Sequence, residues 1–214
     1  MSLSEERLDA TDAISRRTPW IRTGLIRTSV QILLSFAPGL VLIRVVSTDR
    51  YGSAGLGAIL AVSAAAALIG TVVAAIQIPR LPGLWANIGF VCYTPVFICI
   101  LIPVPLWVFV AAIGVGGIGI SLHGVWWYAA PNEGVAVGLR GRVNATDLMT
   151  TKLLEPAGMA LAIPATSHLG MQSICLIGAT TFMAAPALAL LTNGFPQYGR
   201  HLSPAPSPVE RKTA

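Results

Sequence analysis

The sequence predicts an all-helical protein that crosses a lipid bilayer several times, and three observations carry that prediction. The 214 residues are 54% hydrophobic and only 11% charged, with a mean hydropathy of +0.72, whereas water-soluble domains carry about a quarter charged residues. Apolar stretches of roughly twenty residues recur along the chain, each long enough to cross about 30 Å of hydrocarbon at about 1.5 Å per helical residue. Turn signals and most of the charged residues separate those stretches. An ordinary water-soluble enzyme is excluded. The net charge of +5 is spread between apolar runs instead of lying on one face, which argues against nucleic-acid binding.

Taken in order, residues 1–19 mix Glu5, Glu6, Asp9 and Asp12 with Arg7, Arg16 and Arg17. No apolar core follows a basic start at the spacing of a cleavable signal, so this segment reads as a cytoplasmic lead. A transmembrane domain over residues 20–192 follows, with six spans expected at 22–46, 53–77, 85–102, 105–129, 148–167 and 171–191. Asp49, Arg50 and Gly52 mark the first connection, Pro79, Arg80, Pro82 and Gly83 the second, and Pro103 with Pro105 a tight third. The fourth, from Ala130 to Asp147, reads as the one long loop, and His168-Leu169-Gly170 as a short fifth corner. Residues 193–214 end in Pro204-Ala-Pro-Ser-Pro208 and read as a disordered cytoplasmic tail.

Orientation follows from the basic residues, because short basic loops stay on the cytoplasmic side during insertion. Of the 14 lysines and arginines, only Arg44 and Arg50 fall on the side opposite the termini. Both termini are therefore expected in the cytoplasm of a cell whose inner membrane holds the chain, which an even number of crossings also requires. Since the bilayer satisfies no backbone group, each span must be a helix. Small residues, as in Ala64–Ala67 and the run Gly114-Val-Gly-Gly-Ile-Gly119, let helices approach closely. The same run matches a loose nucleotide fingerprint, but no strand precedes it to hold a phosphate.

A few polar residues interrupt the apolar spans. Gln31 and His123 are lone polar groups that either bond between helices or line a substrate path. Trp126, Trp127 and Tyr128 fit an interfacial aromatic belt, with an aromatic binding wall as the other reading. Arg140 and Arg142 are either retained loop charges or, with Asp147 and Lys152 as further candidates, a gating latch that holds one conformation. Asp147 stands where an N-cap of the fifth span belongs. Lys152 and Glu155, three apart, share a helix face and neutralise one another, while Glu155, inside the apolar slab, is also a candidate proton-coupling carboxylate. Pro156, directly after it, can loosen the helix. His123, His168 and His201 are scattered, and Cys92, Cys99 and Cys175 lie in apolar stretches as packing thiols. No metal, cofactor or enzymatic constellation is expected.

Several motifs in register then carry a resemblance. Gly-Ile-Ser-Leu-His-Gly-Val-Trp-Trp at 119–127, Arg-Gly-Arg-Val at 140–143, Arg142-Val-Asn-Ala-Thr-Asp147, Pro156-Ala-Gly158, Gly170 and the lead Arg-Thr-Pro-Trp at 17–20 resemble the C-terminal six-helix half of a major facilitator superfamily transporter, of the multidrug and siderophore exporter type. The chain departs from that pattern at Pro131-Asn-Glu-Gly-Val-Ala136 and carries a single basic residue, Arg80, in its second loop. The resemblance implies a half or truncated secondary transporter exporting a small amphipathic molecule on a proton gradient. It also implies a second six-helix half or a second copy of the chain as partner, in addition to the lipid bilayer. The competing expectation is a membrane subunit or scaffold that does not transport by itself or is coupled to an ATPase.

Overall fold

The computed structural model describes residues 19–77, 79–134, 137–192 and Phe195. Most of the expected cytoplasmic lead, 1–19, and nearly all of the tail, 193–214, fall outside the described residues. Among the described residues the chain is helical throughout, without a strand: α1 (Pro19–Gln31), a π-helical turn (Ile32–Phe36), α2 (Ala37–Ile76), α3 (Pro82–Val91), α4 (Thr94–Leu101), α5 (Leu106–Gly134) and α6 (Val137–Leu190). Four stretches are long and apolar enough to cross a membrane: Trp20–Ile76, Pro82–Leu101, Leu106–Ala130 and Val143–Leu190.

Prolines and two glycines set the interruptions. Pro38 has no N–H to offer the carbonyl four residues earlier and its ring crowds it, so the preceding turn widens and the Ala37 N–H bonds to the Ile32 carbonyl instead. Pro95 likewise interrupts the ladder between α3 and α4, but there the chain tightens: Cys92 and Tyr93 form a turn in which the Tyr93 N–H bonds to the Phe90 carbonyl and the Val96 N–H to the Tyr93 carbonyl; the expected third span is thus two short helices. Gly52 (φ 70°) and Gly170 (φ 81°) adopt the left-handed conformation that other residues avoid. Each turns the chain inside α2 and α6 at the corners expected from the sequence.

Packing pairs establish that the limbs alternate in direction. Arg27 and Gly24 meet His123 and Trp127, so the limb before Gly52 runs antiparallel to α5. Ala66 meets Gly117 and Ala74 meets Trp126, so residues 53–76 run parallel to α5. Gly89 lies on Gly119 and Tyr93 on Gly116, making α3–α4 antiparallel to α5. Ile21 touches Val143 and Ala37 lies on Gly158, so α6 before Gly170 runs parallel to α1, and Phe182 against Phe90 with Gly178 against Phe97 reverses it afterwards.

A core of Leu42, Ile59, Phe97, Ile100, Phe109 and Phe182 fills the centre, while Leu68, Ile76, Trp107, Leu153 and Leu188 stand 65–76% exposed on the outside. An apolar shell of that extent is foreign to a surface bathed in water. Where the limbs meet at one end, Arg50 donates from Nη1 to the Cys99 and Ile102 carbonyls at 2.9 and 3.1 Å and from Nη2 to Ile100 at 2.6 Å. It thereby satisfies the open carbonyls at the C-terminus of α4 and opposes their negative dipole. Arg50→Ala is expected to lower stability by about 1–3 kcal/mol, read as an earlier thermal unfolding midpoint in detergent, with Arg44→Ala, an exposed neighbour, leaving it unchanged.

The structure corrects one boundary expected from the sequence. The expected loop from Ala130 to Asp147 is helical on both sides of residues 135–136: α5 continues to Gly134 and α6 begins at Val137. Arg140 and Arg142 therefore stand on a helix, for which arginine is among the better formers.

Candidate functional site

Polar residues from α1, α3 and α5 meet in the middle of the bundle. Arg27, which the sequence reading counts among cytoplasmic flanking charges, is only 4% exposed. Its Nη1 donates to Asn87 Oδ1 at 2.6 Å and its Nη2 lies 3.0 Å from His123 Nε2. A guanidinium only donates, so Nε2 accepts and the imidazole proton resides on Nδ1. Asn87 in turn donates to the Gly83 carbonyl at 2.5 Å. Rings enclose the charge: the Arg27 guanidinium sits 4.9 Å from the Phe90 centroid, 5.6 Å from Phe195 and 5.8 Å from Trp127, distances at which a ring face attracts a cation.

Trp127 links this network to α6. Its indole N–H donates to Asp147 Oδ2 at 3.2 Å, and Tyr128 adds a second side-chain bond to the same carboxylate. The Trp127 ring also stacks on His123, with centroids 6.0 Å apart and planes 15° from parallel. Room for it comes from Gly24, where an added Cβ would stand 2.0 Å from the Trp127 ring.

A partly open cavity of about 190 Å³ lies beside the network, walled by α1 and its π turn, α5 and the first part of α6. Gln31, His123, Trp127 and Glu155, the four residues named above as candidates for a substrate or proton path, all line it, as does Asp147. Gln31 closes α1 just before the widened turn, 1% exposed, and neither of its amide atoms has a partner. Glu155 is held by Lys152 at 3.7 Å, the pairing their spacing anticipates.

Of the other gating candidates, neither Lys152 nor Arg140 lines the cavity. Lys152 is largely exposed, Arg140 is half-buried two turns before Asp147, and the side chain of Arg142 lies outside the described residues. Two expectations are corrected. Asp147 is no N-cap, because its helix starts ten residues earlier at Val137; the carboxylate faces inward to satisfy Trp127. Trp126 and Trp127 form no interfacial belt: both are buried, Trp126 donating to the Ala74 carbonyl at 3.2 Å, since an indole N–H inside the bundle must find an acceptor.

Among the described residues no group of histidines, cysteines and carboxylates is placed to hold a metal ion, and the three cysteines are free. Comparison with known proteins finds no family model, no curated protein and no solved structure that matches the chain.

Proposed function

We propose that the chain crosses the cell inner membrane six times, with both termini in the cytoplasm, and serves as one six-helix half of a facilitator-type secondary transporter. Its cargo is a small amphipathic molecule exported at the expense of a proton gradient. The observation that carries this reading is the cavity. An unpartnered amide and two carboxylates around a partly open space are costly against hydrocarbon and gain a purpose on a translocation path. A second set of helices, from another copy or another chain, would close that space, as repeats do around a shared midplane site.

The geometry of the limbs supports the six crossings. Trp20–Ile76 has 57 residues, about 85 Å of helix, nearly three times the hydrocarbon thickness. The corner at Gly52 divides it into two limbs of bilayer length or more, and Gly170 divides α6 likewise. Alternating directions then return the chain to the side where it began. With Arg27 committed to the interior, Arg22, Arg80 and Arg140 still lie at the end of the bundle where α1 begins, opposite Arg44 and Arg50.

Everted vesicles from cells expressing the chain test the proposal. A proton gradient is expected to drive accumulation of amphipathic dyes, Glu155→Gln is expected to reduce it to the vector background, and the protein is expected to contain two six-helix sets when weighed in lipid discs. Full gradient-driven transport by a strictly monomeric preparation contradicts the half-transporter reading, and absence of gradient-dependent movement contradicts the carrier reading altogether.

A further inference from the structure

The first part of α6, before Gly170, carries a lysine at a depth where a lipid-facing helix holds one only at high cost. On the first limb, Arg22 and Arg44 are both exposed and stand about 33 Å apart along the axis, close to the thickness of hydrocarbon. Ile21 meets Val143 and Ala37 meets Gly158, so Lys152 lies level with Gln31, about 13 Å inside the level of Arg22. A single snorkelling side chain does not cover that depth. Yet the Lys152 side chain is 68% exposed, and Glu155, its ion-pair partner at 3.7 Å, is 25% exposed where it lines the cavity. An ammonium has three donors, and this pairing meets at most one of them. Pro156 adds an acceptor to the same face: it has no N–H for the Lys152 carbonyl four residues earlier. Ala145, Lys152, Pro156 and Ile163 are all exposed and follow one another at helical spacing, so they form a single stripe along α6.

We propose that a second copy of the chain packs on this stripe, the two copies exchanging Lys152–Glu155 ion pairs across a two-fold axis along the bilayer normal. The same basic residues orient both copies during insertion, so their α6 helices run parallel. A cation and an anion about 4.5 Å apart along one helix are then self-complementary, because the two-fold sets each lysine beside the other copy's glutamate. The exchange gives each ammonium a second carboxylate and brings it near the carbonyl that Pro156 leaves open, which lipid cannot do. Ala145 and Pro156 are short enough to let the two helices approach closely. A different chain would need charges matched to this face, whereas a copy already carries them. Since Glu155 lines the cavity, the partner's Lys152 arrives at its opening, and both copies contribute to the site. This pairing rests on the half-transporter reading, whose second helix set it identifies as the same chain.

The full chain is expected to weigh as two copies in lipid discs. Lys152→Glu and Glu155→Lys, carried on differently tagged chains, test the exchange. Each variant alone presents like charges to its own copy and is expected to lose the dimer. Expressed together they are expected to co-purify as a mixed dimer, which ion pairing within one chain cannot produce. A second arm leaves both charges in place. With Cys92, Cys99 and Cys175 replaced by serine, Ala145→Cys and Ile163→Cys should each form disulfide-linked dimers when membranes are oxidised. Ala157→Cys, exposed but rotated about 140° from Lys152 around the helix, should stay monomeric; should a charge variant fail to accumulate, this arm alone decides. Undiminished dimers of either charge variant alone, no mixed dimer from two accumulating variants, or cross-linking at residue 157 in place of 145 and 163 would each overturn the inference. Gradient-driven dye transport by a preparation that holds two helix sets but lacks these cross-links would leave the carrier reading standing and remove only this face.

Discussion

Gly119→Ala is expected to destabilise the bundle by about 3 kcal/mol or more, at the upper end of what overpacking costs. The methyl would stand 2.2 Å from the Gly89 carbonyl oxygen and 2.9 Å from its Cα. Those atoms belong to backbone, so neither helix can yield by turning a side chain. α3 and α5 would have to separate along their length, which gives up the close contact on which helix association in lipid depends. Gly124, one and a half turns later on α5, has nothing within 4 Å of the same added atom. Gly124→Ala should therefore be neutral or stabilise by up to about 1 kcal/mol through helix propensity. Thermal unfolding of the pair in one detergent decides the matter. Equal midpoints would mean that α3 and α5 do not touch at these glycines.

Arg27→Leu should be nearly as damaging, at about 2–5 kcal/mol. Replacing a buried ion by an apolar side chain is often harmless when the whole polar group leaves with it. Here only one member leaves. Asn87 Oδ1 and His123 Nε2 lose their donor, and Asp147 loses a positive charge whose field reaches it. The double variant Arg27→Leu with Asp147→Asn is expected to recover part of the loss, because the stranded carboxylate is then neutral while its amide oxygen still accepts from Trp127. If the single variant melts with the wild type, Arg27 is an ordinary flanking charge and the buried network has no energetic standing.

The fold was far more legible in the sequence than the site. Apolar run lengths, the corners at Gly52 and Gly170 and the break at Pro103 and Pro105 are local properties, written in hydropathy and in residues that tolerate special backbone. Helix ends were harder. Arg140 and Arg142 look like loop residues because they are charged, yet charge does not end a helix once it has left hydrocarbon, and Asp147 lost its apparent capping position for the same reason. Trp126 and Trp127 have the composition of an interfacial belt, and only the neighbours at Ala74 and Asp147 reveal them as interior.

Arg27 was the principal residue overlooked. A basic residue one and a half turns into a first span resembles its flanking neighbours, and nothing local states that Asn87 and His123, sixty and ninety-six positions away, will meet it. One signal was present: Arg27 and Gln31 are four apart, so they share a helix face, and two polar residues aligned on one face of an apolar helix point inward. Gln31, His123, Trp127 and Glu155 were found as isolated polar interruptions, but their convergence on one cavity depends on three limbs packing together, which no single segment encodes.

The alternating passage of the chain through the bilayer is the claim on which the cavity, its depth and the need for a second helix set all rest. It is tested most directly by single cysteines placed at Asp49 and Arg80, both exposed, in a chain whose Cys92, Cys99 and Cys175 have been replaced by serine. A membrane-impermeant maleimide should label the residue-49 variant in intact cells and reach the residue-80 variant only after the membrane is opened. Labelling of both positions from outside, or recovery of the chain in the supernatant after an alkaline carbonate wash, would contradict the account.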